Sequence, residues 1–96
     1  MKLVYTDEAI DDLKRLREFI AVHSPSSAVR IAAELVGKVE LLPDFPKMGA
    51  PVEMAPVPDS VRDMVFGKYV VRYSVHASAI IILRVWHGLK GEHKNI

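Results

Sequence analysis

Ninety-six residues, half of them apolar, are enough for one domain with a real though small core. There is no cysteine, which excludes a disulfide framework and thiolate metal ligation. The formal net charge of +1 hides an asymmetry. Residues 1–48 balance to a net of −1, whereas residues 64–96 carry Lys68, Arg72, Arg84, Lys90 and Lys94 against Glu92 alone. A basic C-terminal third fits an anionic partner, nucleic acid or acidic peptide; a solvated basic face is the plainer reading.

The N-terminal residues MKLVYTDEAIDDL bring charge in too early for a signal peptide, and no apolar run approaches membrane-spanning length. The expectation is a soluble, cytoplasmic protein of a single domain, residues 1–96, with no membrane partner.

KLVY at residues 2–5 is short enough for one strand. Thr6 is placed to cap a helix, with Asp7 and Glu8 favourable in its first turn. Ile10, Leu13, Leu16 and Ile20 predict its buried face, while Asp11, Asp12, Lys14, Arg15, Arg17 and Glu18 fill the remainder. Helix one is expected to end near His23. SPSS at 24–27 stops it and starts another, with Ser24 as cap and Pro25 in the first turn, where its missing N–H costs nothing. Ala28, Ile31, Ala32, Leu35, Val39 and Leu42 mark the second helix up to Pro43. So short a connection makes the helices antiparallel.

Residues 43–60 hold five of the six prolines and are expected to be an ordered, extended connector. Gly49 is expected to take a backbone angle other residues avoid. Three strands follow: VRDMVF (61–66), YVVRYSV (69–75) and IIILRVWH (80–87), joined by tight turns as an antiparallel meander. The fold class is therefore α+β, ordered β-α-α-β-β-β. An antiparallel helical hairpin packs on one face of a curved, mainly antiparallel four-stranded sheet. Strict alternation puts Tyr69, Val71, Tyr73 and Val75 on one side of their strand and Val70, Arg72 and Ser74 on the other. It separates Ile81, Leu83, Val85 and His87 from Ile80, Ile82, Arg84 and Trp86. The face without helices is then expected to gather Arg72, Arg84 and Trp86 among aliphatic side chains.

Taken in order, YTDEAIDDL, LLPDFPKMGAP, VRDMVFGKYVVRY and ILRVWHG make the chain resemble, over nearly its whole length, the ParE/RelE superfamily of toxins from bacterial type II toxin–antitoxin systems. The resemblance implies a cognate antitoxin whose acidic segment folds on binding, and a toxin–antitoxin hetero-oligomer. The superfamily splits by target: ParE-like members poison DNA gyrase, and RelE-like members cut messenger RNA on the ribosome. The proline-bearing loop, FGKYVVRY and RVWHG look more like the ParE and plasmid-stabilisation branch.

Metal-independent RNA cleavage needs a proton acceptor, a proton donor and cations on the crowded phosphate. Arg72 and Arg84 are candidate phosphate clamps, His87 or His93 candidate proton carriers, and Lys90 a further cation. Glu53 is a poor candidate base because nothing fixes its place. RelE-like enzymes of the lysine- and arginine-rich type imply a lysine pair before the middle strands, where MAPVPDS stands here; the terminal tyrosine often used to stack a base is also absent.

The plainer readings are a strand-end His87 bonded to backbone and an Arg84 paired with Asp63. The four histidines lack metal-ligand spacing, and no cofactor is implied. The expected target-binding set is Arg72, Arg84, Trp86 and Lys90, with Lys94 extending the charge. Three functions stay open: a gyrase-poisoning toxin, a ribosome-dependent ribonuclease acting through Arg72, Arg84, His87 and Lys90, and a non-toxic antitoxin-binding module.

Overall fold

A computed structural model describes residues 1–53, 55–57 and 59–88. Strand β1 (Lys2–Tyr5) leads into helix α1 (Asp7–His23). Helix α2 (Pro25–Val39) follows, then strands β2 (Ala50–Pro51), β3 (Val61–Phe66), β4 (Tyr69–Val75) and β5 (Ala79–His87). Among the described residues the sheet has five strands in the order β1-β5-β4-β3-β2. The expected four were one too few, because Ala50 and Pro51 of the proline loop pair antiparallel with Asp63 and Arg62. Two residues carry no readable period, so this strand had no sequence signal. β1 runs parallel to β5, and the other pairs are antiparallel.

The helix caps follow the sequence. Thr6 Oγ1 accepts from the Ala9 amide at 3.0 Å. Ser24 ends α1 through its own amide on the Ile20 carbonyl and starts α2 by accepting from the Ser27 amide. α2 closes at Val39, earlier than the expected Pro43, but turns carry Leu42 into the core, where it is fully buried.

The core joins Ala9, Leu35, Val39 and Leu42 to Met64, Val71, Tyr73, Ile80, Ile82 and Val85. Two expectations about faces fail here. On α1 the buried stripe runs through Ala9 and Asp12, while Ile10 is left exposed. On β5 strict alternation breaks at a bulge: Arg72 faces Arg84, Tyr73 faces Ile82, and Leu83 is the extra residue. Ile80, Ile82 and Val85 thereby share the helix-covered face. The other face keeps Arg84 and Trp86 without those two isoleucines.

The proline loop is more than a connector. The Tyr73 hydroxyl, in a side chain with no exposed surface, donates to the Pro46 carbonyl and accepts from the Gly49 amide, both at 2.8 Å. Arg62 Nη1 donates to the Gly49 carbonyl at 2.7 Å. Gly49 does not take a left-handed φ, contrary to expectation. It is needed for close approach, since a Cβ there would lie 2.7 Å from the Asp63 carbonyl oxygen. Among the described residues the left-handed glycine is Gly67, at φ +58° in the two-residue turn between β3 and β4.

Candidate functional site

Cross-strand register places Asp63, Arg72 and Arg84 in one row over β3, β4 and β5, with Trp86 one step further along β5. Two arginines directly opposite each other repel. The row resolves this from its two ends. Arg72 forks onto Asp63, with Nε to Oδ1 at 2.8 Å and Nη2 to Oδ2 at 2.9 Å. Arg84 forks onto Asp12 of α1, with Nε to Oδ2 at 2.8 Å and Nη2 to Oδ1 at 3.1 Å. The expected Arg84–Asp63 pair does not form; Asp63 belongs to Arg72. The Arg72 guanidinium carbon also lies 5.2 Å from the centre of the Trp86 ring.

Asp12 reaches Arg84 because β1 stops early. The last β1 pairing is Tyr5 with Ile82. Beyond it Thr6 Oγ1 donates to the Leu83 carbonyl, and the Val85 amide donates to Asp12 Oδ2 at 2.9 Å. A carboxylate takes the place of the next strand's carbonyl at the bulge. Arg15 adds a fourth hydrogen bond, Nη2 to Asp12 Oδ1 at 2.6 Å. Burial alone would raise the Asp12 pKa. Donation from Arg84 and the Val85 amide, the Arg84 charge and the Arg15 bond together outweigh it and hold the carboxyl below its usual range. The Arg84 pKa is raised, chiefly by its hydrogen bond to Asp12.

The structure thus brings Arg72, Arg84 and Trp86 onto one face, as expected, but Arg72 is buried and both cations are neutralised by forked ion pairs. His87 lies on the other face of β5, opposite Tyr69, with ring centres 5.5 Å apart in an edge-to-face contact. Glu53 is exposed in a turn. Lys90, His93 and Lys94 lie outside the described residues.

Sequence reasoning missed Asp12 and Arg15. A signal was present for Asp12: it stands three residues after Ala9 and four before Leu16, on the inward stripe. Nothing in the pattern marked Arg15. No helix among the described residues is long and apolar enough to cross a membrane.

Residues 3–90 match the family model for the ParE toxin of the type II toxin–antitoxin system parDE. The chain is 30% identical over 90 residues to Toxin RelE2 of Caulobacter vibrioides, covering 93% of this chain and 97% of that one. In fold it is similar to a chain of the chromosomal ParDE system from P. aeruginosa. There the TM-score is 0.77 at 24% identity, over 91% of this chain and 95% of that one. It is also similar to a chain of the RelBE2 toxin–antitoxin complex from Mycobacterium tuberculosis, with a TM-score of 0.65 at 23% identity over 90% and 95%. The chain belongs to the ParE family of type II toxin–antitoxin toxins, within the ParE/RelE superfamily.

Proposed function

We propose that this toxin acts by binding a protein target, DNA gyrase, rather than by cutting RNA. The observation that carries the reading is the − + + − row Asp63, Arg72, Arg84, Asp12. A phosphate clamp needs guanidinium donors directed at the substrate, and here both forks are spent on carboxylates at 2.8–3.1 Å. The row instead braces the strands that display Trp86. His87, the candidate proton carrier, is packed on Tyr69 across from the arginines. The match over residues 3–90 is to the ParE toxin of parDE, and the reading takes gyrase as the target of that branch.

Neutralisation falls to a cognate antitoxin, because both structural relatives come from toxin–antitoxin systems. Its acidic segment orders on this chain and buries about 2,000 Å² in total.

Purified toxin added to gyrase and relaxed plasmid tests the target. Loss of supercoiling with trapped cleaved DNA, reversed by the antitoxin, is the expected result. Unaffected gyrase together with site-specific cuts in messenger RNA on translating ribosomes would move the chain to the ribonuclease branch.

A further inference from the structure

A cleft of about 490 Å³ opens between α1 and the end of β5, lined by Asp12, Arg15, Leu16, Phe19 and residues 84–87. Its volume lies within the range of small-ligand and side-chain pockets. Among the described residues its charge is unbalanced. One carboxylate, Asp12, serves two guanidinium groups, those of Arg84 and Arg15. Glu8 acts on Arg84 from a distance but contributes nothing to the wall.

The two arginines are not equivalent. Arg84 gives two nitrogens to Asp12, whereas Arg15 gives only Nη2 and keeps 65% of its side chain exposed. Among the described residues Nε and Nη1 of Arg15 have no partner. Asp12 therefore holds Arg15 at the cleft mouth while leaving donors for a further acceptor. Around it the walls are apolar and aromatic, from Leu16, Phe19, Val85 and Trp86.

We infer that this cleft docks a polypeptide segment carrying a carboxylate beside apolar side chains, with Arg15 as the group that receives the carboxylate. The surplus cation selects the charge, and the walls select an aliphatic or aromatic neighbour. A preorganised guanidinium loses less freedom on binding than a free one. The inference rests on the reading that an acidic polypeptide partners this chain, and it assigns that partner's anchor to a residue of α1 outside the arginine row of the sheet.

Trp86 is the chain's one tryptophan and lines the cleft, so its emission reports occupancy directly. The probe is a short peptide of glutamate flanked by leucines, acetylated and amidated so that glutamate is its only charge; the control replaces glutamate with glutamine. The glutamate peptide should shift Trp86 emission saturably and bind roughly tenfold more tightly than the control. Arg15→Gln should erase that preference at an unchanged melting temperature. Equal binding of the two peptides, or a preference that survives in Arg15→Gln, would overturn the inference. So would a nucleoside monophosphate that shifts the emission where the peptide does not. An antitoxin that copurifies and binds Arg15→Gln as tightly as wild type would overturn the site and leave the pairing intact. Peptide discrimination through Arg15 with no antitoxin bound would uphold the site and remove the pairing.

Discussion

Asp12 and Arg84 stand 72 positions apart in the chain and hold each other by two hydrogen bonds of 2.8 and 3.1 Å. The carboxylate also takes the Val85 amide, so one side chain joins α1 to the bulged segment of β5. Removing it strands two guanidinium groups and a buried amide. Breaking a buried pair from one side costs about 3–5 kcal/mol. Arg84 keeps 36% of its side chain exposed, so solvent screens the loss and the lower end applies. Asp12→Ala should therefore lose about 3 kcal/mol, roughly 10 °C or more in melting temperature for a chain this size. Thermal unfolding followed by far-UV circular dichroism checks it.

The same carboxylate sets an acid limit. Its folded pKa is lowered, so the stabilisation is fully present above the unfolded value of about 3.9 and is lost as pH falls through the folded value. Unfolding free energy should decline from roughly pH 5 downward. Asp12→Asn should start less stable and show a shallower decline over the same window. Urea titrations at a series of pH values measure both slopes, and identical slopes would mean that Asp12 is not the titrating group.

Tyr73 is the post to which the proline loop is tied. Tyr73→Phe removes the acceptor of the Gly49 amide and the donor to the Pro46 carbonyl, leaving both to find water or stay unpaired. That costs about 1–3 kcal/mol. Because β2 is only Ala50–Pro51, the loss should concentrate in the loop. Hydrogen exchange at Gly49 and its neighbours should speed up more than exchange in β4 or β5. Uniform acceleration would show the tether to be an ordinary part of global stability.

Much of the fold was legible because it is written in short-range chemistry. Thr6, Ser24 and Pro25 signal helix boundaries through groups that act within four residues. The antiparallel meander follows from tight turns such as Gly67-Lys68. What escaped depends on geometry the period cannot carry. The bulge at Leu83 shifts Ile80 and Ile82 to the core face relative to Val85, and a strict period of two has no way to skip a residue. β2 follows directly on Gly49, which Arg62 and Tyr73 hold against the sheet. At the site, alternation found Arg72, Arg84 and Trp86 together, but not the two carboxylates that take up the cations. Asp12 reads as one polar residue of an amphipathic helix until β1 is seen to end beside it.

His87 tests whether the histidine is structural. Its ring meets Tyr69 edge to face across the β4–β5 ladder, a contact worth about 0.5–1.5 kcal/mol beyond area burial. His87→Ala should lower the melting temperature by several degrees, and His87→Phe should recover most of it. Growth arrest should follow stability in both variants. Loss of arrest in a fully stable His87→Phe protein would give the imidazole a chemical role and favour the ribonuclease reading.

Trp86 and Arg84 share a face, yet their substitutions should act by different routes. Arg84 is a brace: Arg84→Ala leaves Asp12 to Arg15 and the Val85 amide, so the protein should lose stability and toxicity together. Trp86 is half-buried on the face that the arginine row supports, and Arg72 covers part of its ring. Trp86→Ala leaves both forked ion pairs in place. Truncating an aromatic interface anchor costs about 2 kcal/mol or more, roughly thirtyfold in affinity. Trp86→Ala should thus relieve growth arrest and weaken gyrase binding by that factor while retaining most of its melting temperature. Lys94→Ala, which removes a single positive charge, should change arrest little. Expressed at matched levels, a folded Trp86→Ala protein that still arrests growth fully would place the toxic surface elsewhere, on the exposed faces of α1 and α2.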